Sequence, residues 1–284
     1  MSSVEGIGKQ SLKGFVELLF FFMAITVMPQ KTLTGKIVAS INGNPLPYVN
    51  IGIINKSIGT VTDFDGNFEL SIYRSNYKDS VRISSVGLKS KTLLVSNFIS
   101  VLKADPVIEM NEKIEELSEV IVSNRKLKTK VLGNRSKSRK NLYEASADML
   151  GSEIGVKIKI KNGPSLLKKF TTRVLTKRYV GFKFRLNFYD IKEGLPNRNL
   201  LTKNIIIDAK DIEDGWIHVN LEPYDVYVED DFFVTLEWIQ GDGKRKLKFP
   251  ASLFGPVVVE RETSQAKWNK HTTASIGFNV TVQY

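Results

Sequence analysis

"GTVTDFDGNFEL", Gly59 to Leu70, decides the first half of the fold. Two acids flank a phenylalanine and run into a glycine, so the phrase reads either as a tight turn or as a metal loop. As a turn, Thr60–Thr62 ends one strand, Asp63–Asn67 reverses the chain, and Phe68–Ile72 begins the next. Asp and Asn suit this because their side chains bond nearby backbone, and Gly66 can take φ > 0 without a Cβ clash. As a calcium loop, Asp63, Asp65 and Asn67 have the one-three-five spacing, but the twelfth position, where a bidentate glutamate belongs, is Arg74. The turn is the expectation, with Phe68 in a core and no metal held.

Outward from this phrase the chain alternates. "TLTGKIVAS" (Thr32–Ser40), "YVNIGII" (Tyr48–Ile54), "SVRISSV" (Ser80–Val86), "KTLLV" (Lys91–Val95) and "SEVIVS" (Ser118–Ser123) are short β-branched runs separated by Gly, Pro, Asn and Asp. Strands at this spacing make a sandwich. Helix is expected only at Val95–Leu102 and Asn141–Leu150. The motifs "NPLPYVNI" (Asn44–Ile51), the opening phrase and "ISSVGLKSK" (Ile83–Lys91), in that order after Gly35, resemble the carboxypeptidase-regulatory-like domain. That resemblance covers Leu33 to about Val122. It implies a seven-stranded, transthyretin-like sandwich, of a kind abundant in Bacteroidetes envelope proteins, in which the opening phrase is a structural hairpin. Gly87-Leu88 stands where the family usually has Gly-Tyr.

The ends of the chain point to export. Lys9 and Lys13 precede the apolar run Leu18–Val27, and a polar break follows at Pro29-Gln30. This is the layout of a secretory signal over residues 1–30, since the run is shorter than the ~20 residues of a spanning helix; no small-x-small cleavage site stands out, so an uncleaved anchor is the alternative. The chain has no cysteine, which removes disulfides, thiolate catalysis and Cys-ligated metal together. An exported chain without disulfides suits a bacterial envelope, in the periplasm or at the outer-membrane surface.

"IEELSEVIVSNRK" (Ile114–Lys126) resembles the segment that follows such domains in outer-membrane receptors coupled to TonB, but the remaining sequence lacks the amphipathic strands of a large barrel. Arg125–Lys140 then carries eight Lys or Arg and no acid. Val120–Tyr189 holds eighteen basic and three acidic residues, a local +15 against +11 for the whole chain. Residues 124–152 are therefore expected as a solvated basic linker between a sandwich at 31–123 and a second at 153–284. The other reading gives Arg135, Lys137, Arg139 and Lys140 a contact with anionic lipid or lipopolysaccharide. Nucleic acid is not an expected partner, because no nucleic-acid module is present.

The second half is again β. "YVGFKFRLNFYDI" (Tyr179–Ile191), "NIIIDA", "GWIHVNL", "VYVEDDFFVTLEWI" and "SIGFNVTVQY" read as strands of a jelly-roll-like double sheet, resembling the C-terminal sandwich of some Bacteroidetes proteins. In "DDFFVTLEWI", Phe232, Val234, Leu236 and Trp238 share one face and Thr235 and Glu237 the other. In "GWIHVNL", Trp216, His218 and Asn220 share a face opposite Ile217, Val219 and Leu221. A flat Trp beside hydrogen-bonding groups suits a sugar ring, and Trp268 in "QAKWNKHTT" is a second aromatic in a polar loop; both read more readily as packed aromatics. His218 and His271 have no metal-ligand spacing, and no nucleophile elbow or phosphate loop occurs. Glu229–Asp231 could seat the acid and base of a polysaccharide hydrolase, or be a solvated strand entrance. The expectation is an all-β, non-enzymatic binding or scaffolding protein without cofactor. Its partner would be an envelope glycan, lipopolysaccharide or another envelope protein, with a carbohydrate-binding module as the alternative.

Overall fold

The computed structural model describes residues 30–113, 127–146, 149–161, 163–175, 181–241 and 246–284. Residues 1–29 of the expected signal segment 1–30, and all of Ile114–Lys126, lie outside these residues. Among the described residues no helix is long and apolar enough to cross a membrane.

Among the described residues the N-terminal unit has seven strands and one α-helix: β1 (Gln30–Ala39), β2 (Asn50–Ile53), β3 (Gly59–Val61), β4 (Asn67–Tyr73), β5 (Ser80–Ser84), β6 (Lys91–Leu94), α1 (Val95–Ala104) and β7 (Val107–Met110). They form two sheets, β4-β1-β7 and β3-β2-β5-β6. The inward residues of each sheet and Val95, Phe98 and Ile99 of α1 meet in one core. Those three helical positions fall on one face, which is why this segment coils onto the sheets.

The opening phrase is a turn. The Asp63 carboxylate accepts hydrogen bonds from the backbone N–H groups of Asp65 (3.0 Å) and Asn67 (2.8 Å). The Gly66 N–H closes on the Asp63 carbonyl at 3.2 Å, with Gly66 at φ 79°. A Cβ on Gly66 would stand 2.5 Å from the Ile37 carbonyl oxygen, so the position is restricted twice over. Asp63 thus spends its oxygens on the turn. Phe68 is 5% exposed and stacks on Phe98 with centroids 6.1 Å apart.

The C-terminal unit begins earlier than expected. Its strands are β8 (Thr129–Gly133), β9 (Leu142–Ser146), β10 (Glu153–Ile158), β11 (Ser165–Arg173), β12 (Lys183–Lys192), β13 (Leu195–Asn199), β14 (Ile205–Asp208) and β15 (Trp216–Asn220). After these come β16 (Tyr227–Val228), β17 (Phe232–Gln240), β18 (Lys246–Leu253), β19 (Val258–Arg261), β20 (Asn269–His271), β21 (Ala274–Ile276) and β22 (Asn279–Gln283). One sheet runs β13-β12-β17-β10-β19-β20 with β14 on β12, a second runs β15-β11-β22-β8 with β16 on β11, and β21-β18-β9 closes a third. They enclose a large core that includes Phe170, Phe188, Phe232, Trp238 and Phe278.

Two expectations are corrected here. The described part of the basic stretch is not a linker: β8 pairs antiparallel with β22, and β9 pairs with β18. Asn141–Leu150 is not a helix, because Leu142–Ser146 completes that ladder. Sheet partners more than a hundred residues away override a weak local preference. Between β8 and β9 the loop is held by its own small side chains. Asn134 Oδ1 accepts from the Ser136 N–H (2.9 Å), and Ser138 Oγ accepts from the Asn141 N–H (2.9 Å).

Candidate functional site

The two units meet on the outer face of the large sheet, and β17 is therefore buried on both sides. Phe233, Thr235, Glu237 and Ile239 are as hidden as Phe232, Val234, Leu236 and Trp238 on the core face. Within this junction lies a ladder of charge across four neighbouring strands. The register places Arg185 of β12 beside Glu237 of β17, Glu237 beside Glu153 of β10, and Glu153 beside Arg261 of β19. Two carboxylates side by side would repel. They are held by the outer cations and by Asn187, whose amide nitrogen donates to both Glu153 (2.9 Å) and Glu237 (3.0 Å).

Arg185 Nε donates to Glu237 Oε2 at 2.8 Å, and both side chains are 1% exposed. The rest of the guanidinium crosses to the N-terminal unit, donating to the Tyr48 carbonyl (2.8 Å) and to Asn50 Oδ1 (2.9 Å). Arg261 pairs with Glu153 at 2.5 Å, and Thr235 and Tyr189 donate to the same carboxylate. Burial alone would raise the Glu237 pKa, yet Arg185 holds it below the ordinary carboxylate value. Burial likewise works against the charge of Arg261, and Glu153 overrides it. Tyr189 is pushed well above its usual value, first by burial and then by Glu153.

The contact is also steric. Ser264 Oγ donates to the carbonyls of Ile51 (3.0 Å) and Thr60 (3.2 Å), inserting beside the strand pair β2 and β3. Gly52 and Gly59 face each other there, and a Cβ on either would lie 2.3 and 2.7 Å from the Ser264 carbonyl oxygen. Tyr48, Val61 and Ile239 add a small apolar cluster.

Beside this contact opens a polar cleft of about 220 Å³, lined by Asn50, Arg82 and Ser84 from one unit and Asn187, Arg261 and Gln265 from the other, with Glu237. Glu237 Oε1 and Arg261 Nε are buried and have no hydrogen-bond partner among the described residues. Uncompensated buried polar atoms of this kind are costly unless water or a ligand meets them.

None of the residues singled out from sequence lines this cleft. Trp216, His218 and Asn220 stand on the outer face of β15, where Trp216 and His218 stack at 5.6 Å and 7°. His218 is lowered from its usual pKa, by partial burial first and Lys169 second. Arg173 lies 5.2 Å and Lys137 5.7 Å from the Trp216 ring centre, so the basic loop and the aromatic strip adjoin. Arg135, Lys137, Arg139 and Lys140 are all exposed. Trp268 lies just before β20, set edge-on against Tyr189 at 5.9 Å with Arg261 4.7 Å over its ring. Of the acidic cluster, Asp231 accepts from the Ile160 N–H (2.9 Å) and pairs with Lys157 (2.9 Å).

The charge ladder was not anticipated from sequence. Its trace is Arg, Asn and Tyr alternating with Phe, Leu and Phe in "FRLNFY", matched by Thr and Glu in "VTLEW".

Comparison with known proteins places the N-terminal unit. A TonB-dependent receptor, SusC of Bacteroides thetaiotaomicron, is 29% identical over 93 residues; the matched segment spans 33% of this chain and only 9% of the receptor. Among solved structures, infectious bursal disease virus (Gt strain) and its VP2 subviral particle overlay 89% of this chain and 62% of theirs, each at 10% identity. Their TM-scores are 0.30 and 0.29, too low to carry an argument. The family model of the CarboxypepD_reg-like domain matches residues 33–122, the sandwich with the Asp63 turn and the Phe68 core. Residues 33–122 thus match the CarboxypepD_reg-like domain.

Proposed function

We infer that this is an exported, non-catalytic envelope protein that works by binding or scaffolding, with its regulatory-like sandwich docked as one body on the C-terminal sandwich. The observation that carries the reading is the junction. A fully buried arginine bonded into both units leaves them no freedom to hinge, and the cleft beside it draws hydrogen-bonding groups from both. The 93-residue match to an outer-membrane receptor supports an outer-membrane setting. A tagged copy in its source cell should fractionate with the envelope. Recovery in the cytoplasm, or shortening of polysaccharides by the purified protein, would contradict this reading.

A second reading, a carbohydrate-binding module, is favoured by one arrangement: Trp216 stacked on His218 with Arg173 and Lys137 beside the indole. Two cations around an aromatic suit acidic or phosphate-bearing glycans more than neutral ones. Asn220 extends the strip, while Trp268 packs on Tyr189 within the C-terminal unit. On a glycan array acidic saccharides should be retained, and Trp216→Ala or Lys137→Ala should lower their signal. Equal retention of neutral glycans, or no response to either variant, would count against it.

A further inference from the structure

At the end of β18 two large apolar residues face solvent, Leu253 at 68% and Phe254 at 87% exposure. Phe254 is also held at φ 56°, a left-handed conformation that a bulky side chain adopts only at a steric cost. Glycine or asparagine would relieve both penalties. Strain and exposed apolar surface kept together at a loop tip are marks of a contact surface.

The loop of the basic cluster is fastened to this same strand end. Asn134 Nδ2 donates to Ser252 Oγ (2.8 Å), Ser136 Oγ to the Ala251 carbonyl (2.7 Å), and the Ala251 N–H to the Asn141 carbonyl (2.8 Å). Arg135, Lys137, Arg139 and Lys140 therefore stand alongside the tip, all exposed. Residues 127–141, 246–259 and 272–284, which build this end of the sandwich, contain no Asp or Glu. The nearest acid on the paired strand, Glu144, is held by Lys248 at 2.8 Å. An apolar point ringed by uncompensated positive charge complements one kind of surface, an apolar layer beneath anionic headgroups.

We propose that Leu253 and Phe254, with the Arg135–Lys140 loop, dock the protein on a bilayer of anionic phospholipid. The two side chains enter the boundary below the headgroups, and the four cations meet the phosphates. The envelope reading above supplies only the source of that bilayer.

The chain has no cysteine, so Leu253→Cys in the full chain takes a single environment-sensitive dye and leaves Phe254 in place. Ile41→Cys, at an exposed turn of the other unit, is the control. With vesicles containing phosphatidylglycerol at low salt, the dye at 253 should brighten, shift to the blue and be quenched by acyl-chain quenchers, while the dye at 41 should not. Replacing the four cations by Gln, or raising salt, should weaken the partition about tenfold or more, since the attraction is electrostatic and screened over about 10 Å at 0.1 M. Phe254→Ser should abolish the blue shift. No response at 253, an equal response at 41, or a response to lipopolysaccharide micelles but not to the vesicles would overturn the proposal. Cytoplasmic recovery of the tagged copy would sink the envelope reading while leaving the vesicle result standing, so the two fail separately.

Discussion

The Arg185 guanidinium donates to the backbone carbonyl of Tyr48 at 2.8 Å, although the two residues belong to different sandwiches. Arg185 answers Glu237 with one nitrogen and the N-terminal unit with the others, so the charge that stabilises the sheet interior also fixes the junction.

Removing one partner of this buried pair strands the other. Glu237→Ala or Arg185→Ala should each cost about 3–5 kcal/mol in denaturant titrations. Arg185→Met with Glu237→Leu should cost less than either single change, because no charge is then left uncompensated. A loss below about 1 kcal/mol for the single variants would mean that water solvates the pair.

The junction should also respond to acid. Glu237 is held below its ordinary value in the folded state, so its contribution is complete above the unfolded carboxylate pKa of about 4.3 and is lost as pH falls through the lowered folded value. Tyr189 is raised, so its contribution is complete below the unfolded tyrosine pKa of about 10 and is lost as pH rises toward the folded value. Thermal melts should therefore weaken at both ends. In Glu237→Gln the acid limb should flatten; an unchanged limb would place the acid sensitivity elsewhere.

Phe68→Ala should cost about 3–5 kcal/mol, the usual penalty for truncating a packed phenylalanine, since its ring is buried against Phe98. Phe64, exposed at the turn tip two residues before Gly66, should tolerate Ala within about 0.5 kcal/mol. Equal losses at the two positions would contradict the assignment of core and tip.

Gly52→Ala should loosen the junction without unfolding either unit, because its Cβ meets the Ser264 backbone of the other unit. Hydrogen exchange should rise at Asn50–Ile53 and Thr263–Gln265 and stay low in both cores. Parent-like protection there would show that the loop yields to a methyl group.

Local chemistry made the first sandwich legible. Asp63, Gly66 and Phe68 act within a few residues of one another, and each reading depended only on turn geometry and alternation. The second unit was legible as strands, and Trp216, His218 and Asn220 could be put on one face by counting. The junction was not legible, for a physical reason. Thr235 and Glu237 alternate with apolar residues as they would on a solvated strand, and only the arrival of Tyr48 and Asn50 from 135 or more residues away buries them. The same distance effect hid β8 and β9: a run dense in Lys and Arg is a linker by composition, yet β22 and β18 supply ladders that composition does not record.

The claim that the two sandwiches form one body is tested most directly by a spin-label distance. Lys103→Cys on α1 and Lys192→Cys at the end of β12 place one label on each unit in a chain with no other cysteine. The account predicts a single narrow distance distribution in the parent, broadened when Arg185→Ala is added. A broad distribution in the parent itself would contradict it.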